Sequence, residues 1–150
     1  MSLTTRLDHA SPAPLLHWLP SGSEVTAVRQ IDGLHGAELH MCLAAVHVER
    51  PDPDHPLRPQ LGYLRGGELV FRQPVVQQQT PGCIGRITQA RVRLADRPDW
   101  LPRLAWPLAL EGALVVELHF AHGALLSLTA TGLHGGSSDG GAEFLESLAC

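Results

Sequence analysis

The sequence predicts an all-β domain: an antiparallel sandwich or partly open barrel of about six to eight strands, with short helical segments near the N- and C-termini. Three observations support this fold class. Apolar and polar residues alternate with a period of two in several stretches, whereas no stretch of about a dozen residues has strong helical periodicity. Fifteen Gly and twelve Pro divide the chain into short runs. An apolar content of 44% is enough for a core, and the length fits one β-rich domain, residues 1–150.

Residues 1–22 are predicted to form an N-terminal capping segment at one end of the core. Ser11 followed by Pro12 is typical of a helix start, because Pro fits the first helical position. A short helix or turn is therefore expected over Pro12–Leu19, and it would end at Pro20.

Two strands are expected next, Val25–Ile31 and Ala37–Val48, separated by a turn that begins at Asp32-Gly33. From Glu38 to Leu43 the second strand alternates between polar and apolar residues. This alternation is typical of a strand with one buried face.

Pro and Gly mark the connections in the middle of the chain. Residues 51–59 hold four Pro and predict a surface loop, because Pro has no backbone donor for a sheet ladder. Gly66-Gly67 predicts a hairpin turn between Leu61–Leu64 and Leu69–Phe71. The next expected segments are a connection, a strand and a Pro/Trp loop: Pro74–Gly82, Ile84–Leu94 and Asp96–Pro107.

The clearest element is a long hairpin, Ala113–Ala121 and Ala124–Thr131 around His122-Gly123, with one solvated face. Residues 132–150 are expected to form a flexible Gly-rich loop and a terminal segment. In that segment Glu143–Ala149 suits a short helix, with a final strand as the alternative.

Missing residue types exclude several chemistries. All eleven cations are Arg and the chain has no Asn, which excludes Lys-dependent phosphate and Schiff-base sites and Cys-His-Asn triads. No G-x-G-x-x-G fingerprint is present, and no cofactor is expected. Residues 136–140 fit G-x-S-x-G, but no His follows Ser138, so a hydrolase is not supported.

The Cys pattern and the absence of apolar segments bear on compartment. Three Cys without C-x-x-C spacing favour a reducing, cytoplasmic location. The first 20 residues include charges and Pro in place of an apolar signal region, and His and Gly interrupt residues 118–138, so no membrane segment is expected. Arg as the only cation, with abundant Ala, Gly, Pro and Leu, is typical of GC-rich coding and indicates a bacterial source.

Charge is unevenly distributed along a chain whose net charge is −4. Residues 83–106 contain five Arg and two acids, whereas residues 107–150 contain five acids and no Arg. One small basic block on a net-negative chain argues against nucleic-acid binding. If the protein has a charged working surface, we expect it where this block faces the acidic last third, in its own chain or in a neighbouring copy.

Nine His in 150 residues raise the question of a metal site. Four residues are weak candidate ligands: His40, Glu117, His119 and His122. They would join Glu38 and Cys42 in a Glu/His/Cys cluster if their two strands paired. The chain has no H-x-H pair, which favours a solvated strand face, without a metal, over a metal site.

Residues 86–106 combine Trp and Arg, residue types that are enriched at binding hot spots. The predicted interaction residues are Arg91, Arg93, Trp100, Arg103 and Trp106. The alternative interpretation, which we favour for the Trp-rich part, is a hydrophobic plug over an open barrel end.

These patterns favour a non-enzymatic, intracellular interaction protein that binds a protein partner or associates with itself. One alternative is a small-molecule-binding β-barrel with its ligand near Trp18, Trp100 or Trp106. A second alternative is a metal-dependent enzyme that uses Glu117, His119 and His40.

Overall fold

The computed structural model describes residues 16–34, 36–137 and 143–147, and in these ranges the protein is an antiparallel all-β domain. No helix of the length and hydropathy needed to cross a membrane occurs in the described ranges. The ten strands are β1 (Leu16–Trp18), β2 (Glu24–Gly33), β3 (Gly36–Pro51), β4 (Pro59–Arg72), β5 (Val75–Gln79), β6 (Gly85–Leu94), β7 (Leu104–Trp106), β8 (Leu108–Phe120), β9 (Leu125–Gly136) and β10 (Phe144–Glu146).

Six of the strands form a ring in which each pairs with the next: β2, β3, β4, β9, β8 and β6. The ring returns to β2 through a short seam, in which Glu24 pairs with Arg86 and Val25 with Gly85. The other strands extend this sheet: β1 pairs with β3 and β7, β5 with β9, and β10 with β4. The partly closed antiparallel sheet confirms the predicted fold class.

The interior of the ring is filled with apolar side chains. Alternate residues of the long strands point inward, as in β9, where Leu126, Leu128 and Ala130 are buried. Phe71 of β4 and Met41 of β3 are both 0% exposed. The described core is therefore packed with the chain's own side chains.

Both predicted terminal helices are wrong where the structure describes them. Leu16–Trp18 is strand β1 and Phe144–Glu146 is strand β10. Each short segment obtains backbone partners by joining an existing edge, β1 on β3 and β10 on β4, which an isolated helical turn of that length cannot match. The rest of the two predicted helices, including Ser11 and Pro12, lies outside the described residues.

The predicted hairpin at Gly66-Gly67 is also wrong, because β4 runs through this pair without a turn. The register against β3 passes from Leu43↔Gly67 to Ala45↔Arg65, and Gly66 has a φ of 75°. A Cβ at Gly67 would lie 2.7 Å from Val46 Cγ2. The two glycines therefore serve a positive φ and a close approach inside one long strand, not a chain reversal.

Three segments expected to be loops contain strand. Pro74–Gly82 includes β5, Asp96–Pro107 includes β7, and Gly132–Gly136 forms the last part of β9. Each of these segments pairs with a strand that is distant in sequence, a kind of contact that local Pro and Gly content does not indicate. The Pro-rich loop is confirmed, since β3 ends at Pro51 and β4 begins at Pro59.

A buried serine joins the N-terminal strand to β3. Ser23 is 0% exposed, and its Oγ accepts hydrogen bonds from Trp18 Nε1 and from the backbone N of His47, each at 2.9 Å. Its hydroxyl also lies 3.4 Å from the Leu19 carbonyl oxygen. Ser23 thus accepts from one buried donor and one part-buried donor.

Cys83 is a second buried polar group, only 4% exposed. Its Sγ lies 3.1 Å from the carbonyl oxygen of Thr80 and 3.6 Å from that of Leu125, and either oxygen can accept its single S–H proton. Burial raises the pKa of this thiol above its ordinary value of 9.0, because a thiolate would lose its hydration.

We expect the Cys83 thiol to make the protein lose stability in alkali. The folded state favours the neutral thiol, so this contribution is present below the unfolded-state pKa and is lost as the pH rises through the folded-state pKa. Urea unfolding between about pH 8 and pH 10 should show a steeper fall in stability for the wild type than for Cys83→Ala. Cys42→Ala is the control and should keep the wild-type slope; equal slopes for all three proteins would contradict the prediction.

Candidate functional site

One patch on the outer surface of β3, β4, β9 and β8 holds six charged or titratable side chains that ion pairs join into two groups, and we call this patch the polar face. They are Glu38, His40, Glu68, Arg72, Glu111 and His134. Their neighbours Leu39 and Phe71 point into the core, so strand alternation turns the polar set outward.

Three of these residues form one ion-paired group on β3 and β4. His40 Nε2 lies 2.9 Å from Glu38 Oε1, and His40 Nδ1 lies 3.5 Å from Glu68 Oε2. The His40 side chain is 17% exposed, less than either carboxylate. Both ring nitrogens therefore face carboxylates within the chain.

The other three residues form a second group on β4, β8 and β9. Arg72 Nη1 lies 3.4 Å from Glu111 Oε2, and His134 Nε2 lies 2.8 Å from Glu111 Oε1. Val70 separates the two groups, because it pairs with His40 on one side and with His134 on the other. Two polar groups thus lie side by side on one sheet surface.

Two concavities flank these groups. The first, of about 410 Å³, lies at the end of β4 and is lined by Ala37, Glu38, Arg72, Gln73 and Thr131. The second, of about 390 Å³, is lined by Glu68, Val70, Leu108, His134, Gly135, Gly136 and Ser137. Gln73 has a φ of 45°, a conformation that non-glycine residues rarely adopt.

The candidate metal ligands do not converge. His40 lies on β3 and Glu117 and His119 on β8, and β4 and β9 separate these strands in the ring. His119 Nε2 lies 3.8 Å from Glu117 Oε1, while the His122 ring bonds to the Gly82 carbonyl oxygen. In the part of the chain that the structure describes, no group of three His, Cys, Asp or Glu is arranged to hold a metal ion. The Glu/His/Cys cluster that strand pairing would create therefore does not form.

The predicted interaction residues on β6 are engaged within the chain. Arg91 Nη2 lies 2.6 Å from Glu117 Oε1, and the Arg91 guanidinium lies 4.6 Å from the Trp100 ring centre. Arg93 lies 5.6 Å from the same ring and donates to the Arg97 carbonyl oxygen at 3.0 Å. The contact with Glu117 joins one Arg of the basic block to the acidic last third of its own chain.

The two remaining predicted residues differ in exposure. Arg103 is exposed, whereas Trp106 is 3% exposed and packs against Trp18, with ring centres 5.9 Å apart. Trp106 is therefore a core residue in the described structure and is not available as a predicted interaction residue. Trp18 is also 3% exposed.

Sequence reasoning missed Glu68, Arg72 and Glu111 of the polar face. Their contacts depend on register: Glu38 is opposite Arg72, and a register shift in the β8–β9 ladder separates Glu111 from Leu114. No spacing in a single strand reports such cross-strand neighbours, and the alternation of β3 alone indicates only that Glu38 and His40 share a face.

Strand β5 presents a different surface, the open edge. It pairs with β9 on one side, and all five of its residues are exposed. Val75 and Val76 are 60% and 41% exposed. Residues 73–85 contain no Asp, Glu, Arg or His, so the open edge is uncharged.

Comparison with protein-family models, curated proteins and solved structures finds no match for this chain.

Proposed function

We propose that this protein is a non-enzymatic interaction protein whose contact surface is the open edge of β5. The observation that carries the proposal is a strand whose residues are all exposed and which, among the described residues, pairs on one side only. Such a strand has backbone donors and acceptors available to a further strand, which is the basis of recognition by strand addition.

The energetics of β5 favour a partner. The strand buries none of its side chains in the core, so the ladder with β9 is its main support. A second strand on the other side would add a ladder and cover Val75 and Val76. Pro74 and Pro81 bound the edge, and since Pro cannot donate, they limit the pairing to a short segment.

The partner best supported by the chain itself is a second copy. Two copies, each with a net charge of −4, repel in general, but an antiparallel pair of β5 strands brings no like charges together. Antiparallel pairing of identical strands also fits the two-fold symmetry of most homodimers. The proposal keeps the cytoplasmic location and the bacterial source expected from composition.

We expect sedimentation equilibrium at about 100 μM to detect a dimer, since a short edge gives a small and weak interface. The double variant Val75→Lys/Gln77→Lys should weaken the dimer about tenfold or more, because like charges would face one another. Leu57→Lys is the control. Leu57 lies in the loop between β3 and β4 and is 97% exposed, so this variant should dimerise as the wild type does.

A charge-swap mixture separates repulsion from misfolding. The variant Val75→Glu/Gln77→Glu should also be monomeric alone, and mixing it with the Lys variant should restore a dimer. A wild type that stays monomeric at this concentration, or Lys and Glu variants that dimerise as the wild type does, would overturn the proposal.

A further inference from the structure

We infer that the concavity at the end of β4 binds a small zwitterion, a molecule that carries a carboxylate and an ammonium group as an α-amino acid does. The concavity measures about 410 Å³, which is within the range of small-molecule sites. The concavity is lined from β3, β4 and β9 and by Gln73, which precedes β5, and the inference does not rest on dimer formation.

The first argument is a cross-strand pair that does not close. Glu38 and Arg72 are directly opposite each other in the β3–β4 ladder, where opposite charges ordinarily attract. Instead, Glu38 contacts His40, and Arg72 reaches Glu111 on another strand. No ion pair joins Glu38 to Arg72 among the described contacts, and both side chains line the concavity.

The second argument is that Arg72 is weakly held. Its distance of 3.4 Å to Glu111 Oε2 is longer than the roughly 2.7–2.9 Å of a charge-assisted hydrogen bond, and its side chain is 46% exposed. The guanidinium fork can therefore turn to bind a carboxylate with two parallel hydrogen bonds. Such a contact would be stronger than the present one with Glu111.

The third argument comes from Gln73 and Thr131, which complete the lining. The Gln73 backbone N donates to the Ala37 carbonyl oxygen at 2.8 Å, so the residue is fixed in its left-handed conformation. Strained backbone of this kind is concentrated at binding and catalytic sites. Thr131 Oγ1 lies 3.3 Å from Gln73 Oε1, a long contact that a ligand's polar atom can replace.

These groups favour a ligand with both charges. A carboxylate would bind Arg72 and an ammonium group would bind Glu38, each at its own side of the concavity. A molecule with one charge would leave either Glu38 or Arg72 without its new partner, so it would bind more weakly. The concavity is therefore expected to recognise a small molecule by its two opposite charges.

The test is a titration of the whole protein, followed by amide NMR shifts and calorimetry. The probes are L-glutamine and L-leucine, compared with propionate and propylammonium, which each carry one of the two charges. We expect at least one amino acid to bind with a dissociation constant of about 1 mM or lower and to shift the amides of Gln73 and Thr131. Each single-charge probe should bind about tenfold more weakly or not at all.

Two variants and two matched controls decide where binding occurs. Arg72→Gln and Glu38→Gln should each weaken binding about tenfold, whereas Arg65→Gln and Glu24→Gln should not change it. The amide spectrum of each variant reports whether it has folded. Three results would overturn the inference. They are no binding of either amino acid at a concentration about 20-fold above the expected dissociation constant, equally tight binding of the single-charge probes, and wild-type binding by both variants.

Discussion

Replacing Phe71 with Ala is expected to lower the free energy of unfolding by about 3–5 kcal/mol. Phe71 lies in β4, its side chain is 0% exposed, and the surrounding ring of strands packs against it. The substitution removes the buried phenyl group and leaves a cavity. The neighbouring strands cannot move in to fill it without breaking the backbone hydrogen bonds that pair them. Total stabilities of single domains are about 5–15 kcal/mol, so this variant would lose a large share.

Urea unfolding followed by Trp fluorescence measures the loss, since Trp18 and Trp106 are buried in the same core. Phe71→Leu should fall between the wild type and Phe71→Ala, because it restores part of the lost volume. Leu57→Ala, at a fully solvated position, should remain within about 0.5 kcal/mol of the wild type. A Phe71→Ala variant as stable as Leu57→Ala would contradict the packed interior.

Replacing Ser23 with Ala is expected to lower the free energy of unfolding by about 2–4 kcal/mol, although only one oxygen is removed. Both donors that bond to Ser23 Oγ, Trp18 Nε1 and the backbone N of His47, would remain in place without an acceptor. Leaving a buried donor such as Trp18 Nε1 without a partner costs about 1–3 kcal/mol, and the part-buried His47 N adds a smaller loss.

A double-mutant cycle isolates this hydrogen bond from general packing. Trp18→Phe removes the indole donor, so the double variant Trp18→Phe/Ser23→Ala should be more stable than the sum of the single losses predicts, by about 1 kcal/mol. Ser21→Ala is the control, because Ser21 is exposed and contributes only its backbone oxygen to His47. Strict additivity would show that Ser23 acts through packing alone.

The strands that could be predicted from sequence are those whose pattern is local. The hairpin of β8 and β9 follows from alternation on both sides of His122-Gly123, and the structure confirms and extends it. The Pro-rich loop between β3 and β4 follows from the missing backbone donors of Pro. In these elements the local sequence is compatible with only one backbone arrangement: alternation with a strand, and clustered Pro with a loop.

The errors arise where one residue type has two physical uses. Gly66-Gly67 fits a hairpin turn, but it also fits a strand in which Gly66 adopts a positive φ and Gly67 lies against Val46. Neighbouring residues do not distinguish these cases, because the deciding contact comes from another strand. The polar face was missed for the same reason, since Glu111 meets His134 only through the β8–β9 register.

The short seam between β2 and β6 makes ring closure the entropically demanding part of assembly. β3 and β4 join across residues 52–58, and β8 and β9 across residues 121–124, so each ladder closes a small loop. The seam joins residues 24–25 to 85–86, and the β4–β9 ladder joins 68–72 to 132–136, so both close loops of about sixty residues. Proteins dominated by such long-range pairings fold on the slow side of the known range. The two hairpins can therefore form as independent local units, while the core becomes enclosed only when the distant segments meet.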